Sequence, residues 1–423
     1  MINLATRSLP SWCQYAVVTL LVLASGHPAF SWGSHEPVLV VSAVVMTMLL
    51  LWRRVATVTP GLVLVAGGFT AILLVQSVLL AFTPVVTILG FLIRLYVAYL
   101  CMRLVDSFPR RYVNVLCALV VLSLFWHAVD SVTAAVGISL RDVLPKFGRI
   151  WDPTKPYHII VHNLNHREGP LPYRNSGVFW EPTAFGGYLL LAIVFLGLTR
   201  RTYLTGYRWR LALLLVGMLS TMSTTGFIAL PVALLTHLPP QAFRARAGRS
   251  LVPYAVVALL VLGTAGLWQF SWMGAKITRQ YKQATLQESG SQINRFGTLM
   301  ADLEYIKARP ILGWGLHAKT RYALDPGTQI AKATGNGLSD FTAKFGLVGM
   351  GLYVLCTWLG FLHVSGRQPL KAFLSLLVVM LVLAGETFLN HPMFLSLVFL
   401  CPAPLVGRLA WPARGGAIRS AIT

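Results

Sequence analysis

Long apolar runs broken by short polar or basic connections repeat along this chain. A hydrocarbon layer of about 30 Å takes a helix of roughly 20 apolar residues to cross. Candidate runs lie at about Ser11 to Ser25, Pro37 to Trp52, Gly61 to Ala81, Thr83 to Leu104, Tyr112 to Val136 and Pro182 to Thr199. Others follow at about Leu211 to Ser223, Gly226 to Leu238, Leu251 to Phe270, Phe341 to His363, Ala372 to Thr387 and Met393 to Arg408. The pattern predicts about twelve transmembrane helices in a single all-α membrane domain spanning residues 1–423. Arg7 and the small residues around Ser11 to Ser25 resemble a signal peptide, but the topology closes without cleavage and the run reads as a retained first helix.

Composition agrees. Of 423 residues, 56% are hydrophobic and only 11% charged, which excludes an ordinary soluble domain. The five cysteines, Cys13, Cys101, Cys117, Cys356 and Cys401, sit in or at the ends of apolar runs and offer no disulfide framework for the loops.

Charge then sets the orientation. Arg53-Arg54, Arg110-Arg111, Arg200-Arg201, Arg244 to Arg249, and Arg367 with Lys371 all fall on one side, which the positive-inside rule makes cytoplasmic, with both termini there. Two longer loops, about 137–181 and about 271–340, emerge on the other side. They break the rule. The first carries Arg141, Lys146, Arg149, Lys155, Arg167 and Arg174 against Asp142, Asp152 and Glu168 ahead of Glu181, and the second carries nine Lys and Arg from Lys276 to Lys332. Such an excess points to an external cavity that holds an anion, since arginine pairs bidentately with phosphate oxygens; docking on anionic lipid is the plainer reading. Positive charge split over two faces of a bundle does not suit nucleic acid.

The stretch "RNSGVFWEPTAFGGY", Arg174 to Tyr188, concentrates candidate chemistry. Pro182 favours the first position of a helix, which puts Glu181 at its N-terminus on the external side. There Glu181 is either a general base or a helix cap paired with Arg174. Gly186 and Gly187 permit close helix approach, and Trp180 suits either an interfacial anchor or stacking on a sugar ring. Helical spacing runs from Arg295 to Ala308, Pro310 ends it, and Gly313-Trp314-Gly315 makes a turn. Asp302 and Glu304 read as the solvent face of that helix. In "HIIVHNLNH", His158, His162 and His166 have ligand-like spacing, yet without an acid partner they read as an exposed polar loop, and no metal site is expected. His317, His391 and Glu386 are further acid/base candidates.

An arginine about fifteen residues before "RPILGWG", the polar "GNG" leading into "KFGLVGMGLY", and "R…GVFWEPTAFGGY" on a preceding span together resemble the O-antigen ligase and Wzy-type polysaccharide polymerase superfamily, nearest to exopolysaccharide Wzy-like polymerases. The resemblance implies a glycosyltransferase type C-like bundle that needs no cofactor or metal. It implies joining of oligosaccharide units carried on undecaprenyl pyrophosphate, at the periplasmic face of the bacterial inner membrane. Arg174 and Arg295 are then the expected pyrophosphate contacts, with Glu181 as the activating carboxylate. Trp180, Arg279, Arg309, His317, Arg321, Asn336 and Asp340 are the expected substrate-binding set. Membrane lipid, a chain-length regulator and a flippase are the implied partners. This chain has Gly335-Asn336 where ligases of the superfamily usually carry His-Asn, which favours a polymerase over a ligase. A lipid-linked sugar transporter fits less well, because no internal repeat is visible.

Overall fold

A computed structural model describes residues 8–28, 36–54, 57–138, 140, 147–149, 152–157, 161–164, 174–200, 206–239, 295–321 and 335–401. The expected span Leu251 to Phe270, together with Arg279, His158 and His166, lies outside them. The helices are α1 (Ser11–Gly26), α2 (Glu36–Trp52), α3 (Pro60–Leu79), α4 (Val85–Leu104), α5 (Phe108–Ala135), α6 (Pro182–Leu198), α7 (Tyr207–Thr221) and α8 (Thr224–Leu235). After these come α9 (Arg295–Ala308), α10 (Ala318–Arg321), α11 (Gly337–Val364), α12 (Pro369–Gly385) and α13 (Pro392–Leu395).

Among the described residues, α3, α4, α5 and α11 are long and apolar enough to cross a membrane, and α1, α6, α8, α12 and Pro37–Trp52 are shorter apolar helices. The described residues are thus helical and multi-pass, with four full-length spans among them. Two details depart from the pattern. The first loop carries a small antiparallel ribbon, β1 (Phe147–Arg149) with β2 (Asp152–Tyr157). Of the expected helix Met393 to Arg408, the described part up to Cys401 forms the single turn α13 and a 3-10 turn at Ser396–Phe399. Ser396 Oγ donates to the Met393 carbonyl at 2.6 Å, and Pro402 and Pro404 follow, so the segment has both a side-chain competitor and missing amide donors.

Helix α6 lies at the centre. Residues Pro182 to Gly197 are all buried, so its run is apolar on every side rather than on one stripe. Around it pack α5, α7, α8 and α12. Gly187 makes room for them: a Cβ there would lie 2.7 Å from the Phe388 ring and 2.9 Å from Val382. Helix α1 packs against α4, α5 and α13, with Val18, Leu21 and Val22 fully buried.

Helix α11 is broken. Gly346 has φ +66° and ψ −175°, and the chain Pro310 to Gly315 fills the break. Trp314 and Gly315 donate their backbone N–H to the Ala343 and Lys344 carbonyls, each at 2.9 Å. Leu347 and Val348 donate to the Pro310 and Ile311 carbonyls at 2.8 and 3.2 Å. Gln76 of α3 adds its Nε2 to the carbonyls of Leu312 and Lys344. A helix interrupted at membrane depth leaves backbone groups that must be satisfied inside the protein, and this loop satisfies them. Gly313 of "RPILGWG" and Gly346 of "KFGLVG" are required by that contact. Gly313, at φ +73°, would place a Cβ 2.6 Å from the Gly346 nitrogen.

Candidate functional site

Several element ends gather at one end of the bundle: the C-termini of α1, α3, α7 and α12 and the N-termini of α6 and α11. Backbone contacts show how. Trp180 donates its N–H to the Gly26 carbonyl at 3.2 Å, and Met393 donates to Ser25 Oγ at 2.8 Å. A Cβ on Gly337 would strike the Glu386 carbonyl and lie 2.8 Å from Thr387 Cα, so "GNG" passes directly over the end of α12.

The Arg174 to Glu181 stretch is held from both sides. Arg174 Nε donates to the Thr221 carbonyl at 3.2 Å, and Asn175 N–H donates to the Ser220 carbonyl at 3.0 Å, docking the strand on the end of α7. Asn163 forms the opposing clamp. Its Nδ2 donates to the carbonyls of Phe179 at 2.9 Å and Trp180 at 3.0 Å, and its N–H donates to the Gly177 carbonyl at 2.7 Å. His162 and Asn163 are therefore buried, at 3% and 5% exposure, not part of an exposed polar loop as their sequence suggested. A side-chain amide that pairs two backbone carbonyls of another segment leaves no trace in periodicity.

Burial pushes the His162 imidazole down to about 4 from the ordinary 6.5, and His127 adds to the shift. The neutral ring is the folded form. Between pH 6.5 and 4 the unfolded chain therefore binds the extra proton, and stability falls as pH falls through that window. The loss should approach roughly 3 kcal/mol, and His162→Gln should flatten the pH dependence of thermal unfolding there. A slope unchanged in His162→Gln would contradict this.

Across the site, α9, α10 and α11 share a buried ionic cluster. Arg321 spans two acids, with Nη2 on Asp302 and Nη1 on Asp340. Ser339 Oγ donates to the second Asp302 oxygen at 2.6 Å, and Lys344 Nζ to the second Asp340 oxygen at 2.7 Å. Asp302 is only 2% exposed, which corrects its reading as solvent-facing; among its immediate neighbours, Glu304 faces solvent and Leu303 is 37% exposed. Asp302 turns inward because Arg321 waits there, a partner nineteen residues away. Burial pushes the Asp302 carboxyl above the usual range, with Arg321 and Ser339 pulling against it. Lys344 was not singled out by motif, since one lysine near the start of an apolar run gives no signal of its partners.

The other expected residues fall as follows. Glu181 is half-buried at the N-cap position of α6 and makes no side-chain cap bond. Trp180 lies against His391, ring centroids 5.0 Å apart, and against Phe388 at 5.8 Å. Asn336 caps α11, its Oδ1 accepting from the N–H groups of Leu338 and Ser339, both at 3.1 Å. Arg309 lies over the Trp314 ring at 4.6 Å. His317 accepts from the Lys319 N–H at 3.1 Å and faces Phe82, while Arg295 begins α9. Trp180, Glu181, Asn336, Glu386 and His391 thus share one region. The ionic cluster joins that region through Lys344, whose Nζ also reaches Asn390 Oδ1 at 3.2 Å. No group of three or more His, Cys, Asp or Glu suited to a metal occurs among the described residues.

A multi-pass helical membrane protein with a polar, ion-paired site at one end of its bundle is the class these features define. The O-antigen ligase family profile matches residues 209–354, from α7 to beyond the break in α11, so this part of the chain is similar to that family. The ionic cluster lies within the matched region and the Arg174 to Glu181 stretch precedes it. No curated protein matches the chain.

Proposed function

We propose that this protein is a polysaccharide polymerase that joins undecaprenyl-pyrophosphate-linked oligosaccharide units at the periplasmic face of the bacterial inner membrane. The observation that carries the reading is the meeting of the Trp180-Glu181 segment with the Asn336-Gly337 turn and the end of α12, beside a family match that reaches into α11. The growing chain on its lipid pyrophosphate is the donor, and a hydroxyl of the next lipid-linked unit is the acceptor.

In the reaction the acceptor oxygen forms a bond to the anomeric carbon, the bond from that carbon to pyrophosphate breaks, and the hydroxyl proton passes to Glu181. Arg174 and Arg295 meet the charge that develops on the departing pyrophosphate. Because pyrophosphate is already a good leaving group, orientation and charge stabilisation account for most of the required catalysis. Gly335 in place of the ligase histidine supports polymerisation, whereas the matched profile is that of the O-antigen ligase and supports transfer to another acceptor.

Purified protein incubated with lipid-linked repeat units, with EDTA present, decides between them. Polymerase activity gives a ladder of lengthening chains, and transfer of a single unit to a different acceptor gives the ligase. Glu181→Gln should lower chain growth by at least about 100-fold with thermal unfolding unchanged, as for loss of a general base. Normal growth in that variant would remove Glu181 from the mechanism.

A further inference from the structure

The polymerase reading leaves Lys344 and Asn390 without a role. Lys344 sits about two turns into α11, its side chain 13% exposed, and an ammonium at that depth in a membrane bundle needs either partners or a function. Its Nζ donates to Asp340 Oδ2 at 2.7 Å and to Asn390 Oδ1 at 3.2 Å. An ammonium has three N–H donors, so one is not engaged by these two acceptors. Asn390 turns its carbonyl oxygen to Lys344, which leaves its NH2 group, two more donors, facing away from the lysine.

Charge in the cluster does not oppose an incoming anion. Asp302 and Asp340 are matched by Arg321 and Lys344, so the cluster sums to zero and presents no net negative charge. The next residue, His391, holds its ring against Trp180, so the donors open beside the aromatic surface of the proposed site. The backbone that carries them is fixed: His391 N–H donates to the Phe388 carbonyl at 3.0 Å and Met393 N–H to Ser25 Oγ at 2.8 Å.

We infer that Lys344 and Asn390 form a donor-only oxyanion subsite that takes one oxyanion of the substrate, either a phosphate oxygen of the lipid pyrophosphate or the carboxylate of an acidic sugar. The identity of that substrate rests on the polymerase reading; the oxyanion chemistry rests on the two side chains. Asp340 then serves to hold the ammonium in place.

Titration of the full-length purified protein with inorganic pyrophosphate and, separately, with glucuronate tests this and tells the two sources apart. Wild type should bind one of them at least tenfold more tightly than the other. Lys344→Met and Asn390→Asp should weaken that binding by at least tenfold, and Lys344→Arg by less than threefold. Asn390→Asp separates ligand binding from structure, because a carboxylate beside Lys344 keeps the ammonium paired and the fold stable while repelling an oxyanion. Wild-type affinity in Asn390→Asp for both probes, or no binding of either probe to wild type, overturns the inference. Chain growth is read in parallel. If wild type forms no polymer, the proposed function fails, and the titration still decides the subsite.

Discussion

Gly346→Ala should expel the Pro310 to Gly315 loop from the break in α11. At φ +66° and ψ −175° the backbone is in a region that side chains rarely adopt, and a Cβ would press on the Ile311 carbonyl and lie 2.6 Å from the Leu312 nitrogen. The strain alone is about 1–3 kcal/mol. If the loop leaves, the backbone bonds to Ala343, Lys344, Pro310 and Ile311 go with it, at about 1 kcal/mol each and more where a group is left buried. A loss of several kcal/mol follows, enough to lower the thermal unfolding temperature markedly and to open residues 309–316 to protease. Gly351→Ala is the control. It lies in the same helix with nothing within 4 Å of its Cβ position, and it should leave stability unchanged or raise it by up to about 1 kcal/mol. Equal unfolding temperatures for the two variants would show that the loop does not depend on the break.

Arg321→Met is the second large effect. The guanidinium is 5% exposed and bridges Asp302 and Asp340, so its removal leaves uncompensated carboxylates in a buried place. Breaking a buried pair in this way costs roughly 3–5 kcal/mol, far more than a surface ion pair contributes. Two further outcomes follow from the charge. The deficit should narrow as pH falls, because protonating a carboxylate removes the uncompensated charge, and Asp302, already pushed up by burial, is the first candidate to take the proton. Asp302→Asn combined with Arg321→Met should recover part of the loss. Arg321→Lys should recover less than full stability, since a point charge cannot reach both acids as the planar fork does. Thermal unfolding of the four proteins across pH checks all of this, and a loss in Arg321→Met that grows on acidification would exclude the charge argument.

The two predictions differ in how far their residues were legible in the sequence. Arg321 and both acids of the cluster were visible, and Arg321 and Asp340 were expected in the site. Their pairing was not. Arg321 was read as a contact for substrate, and the fold places it between two carboxylates, with Lys344 paired to the second of them.

Local signals were sufficient wherever the cause is local. Pro182 marks the start of α6, the apolar run carries it to Leu198, and the spacing from Arg295 with Pro310 after it bounds α9 at Ala308. Hydrophobic runs likewise established a multi-pass helical protein, because burial in lipid demands them in the primary chain. What tertiary structure alone decided is which polar groups meet. Asn163 clamps residues 16 and 17 positions away, Gln76 reaches the backbone 236 and 268 positions away, and Asp302 is buried by an arginine 19 positions away. A side chain's own segment states its chemistry. Whether a charge or amide is tolerated inside depends on partners brought by other segments, since burial without them is too costly, and only the folded chain supplies that pairing.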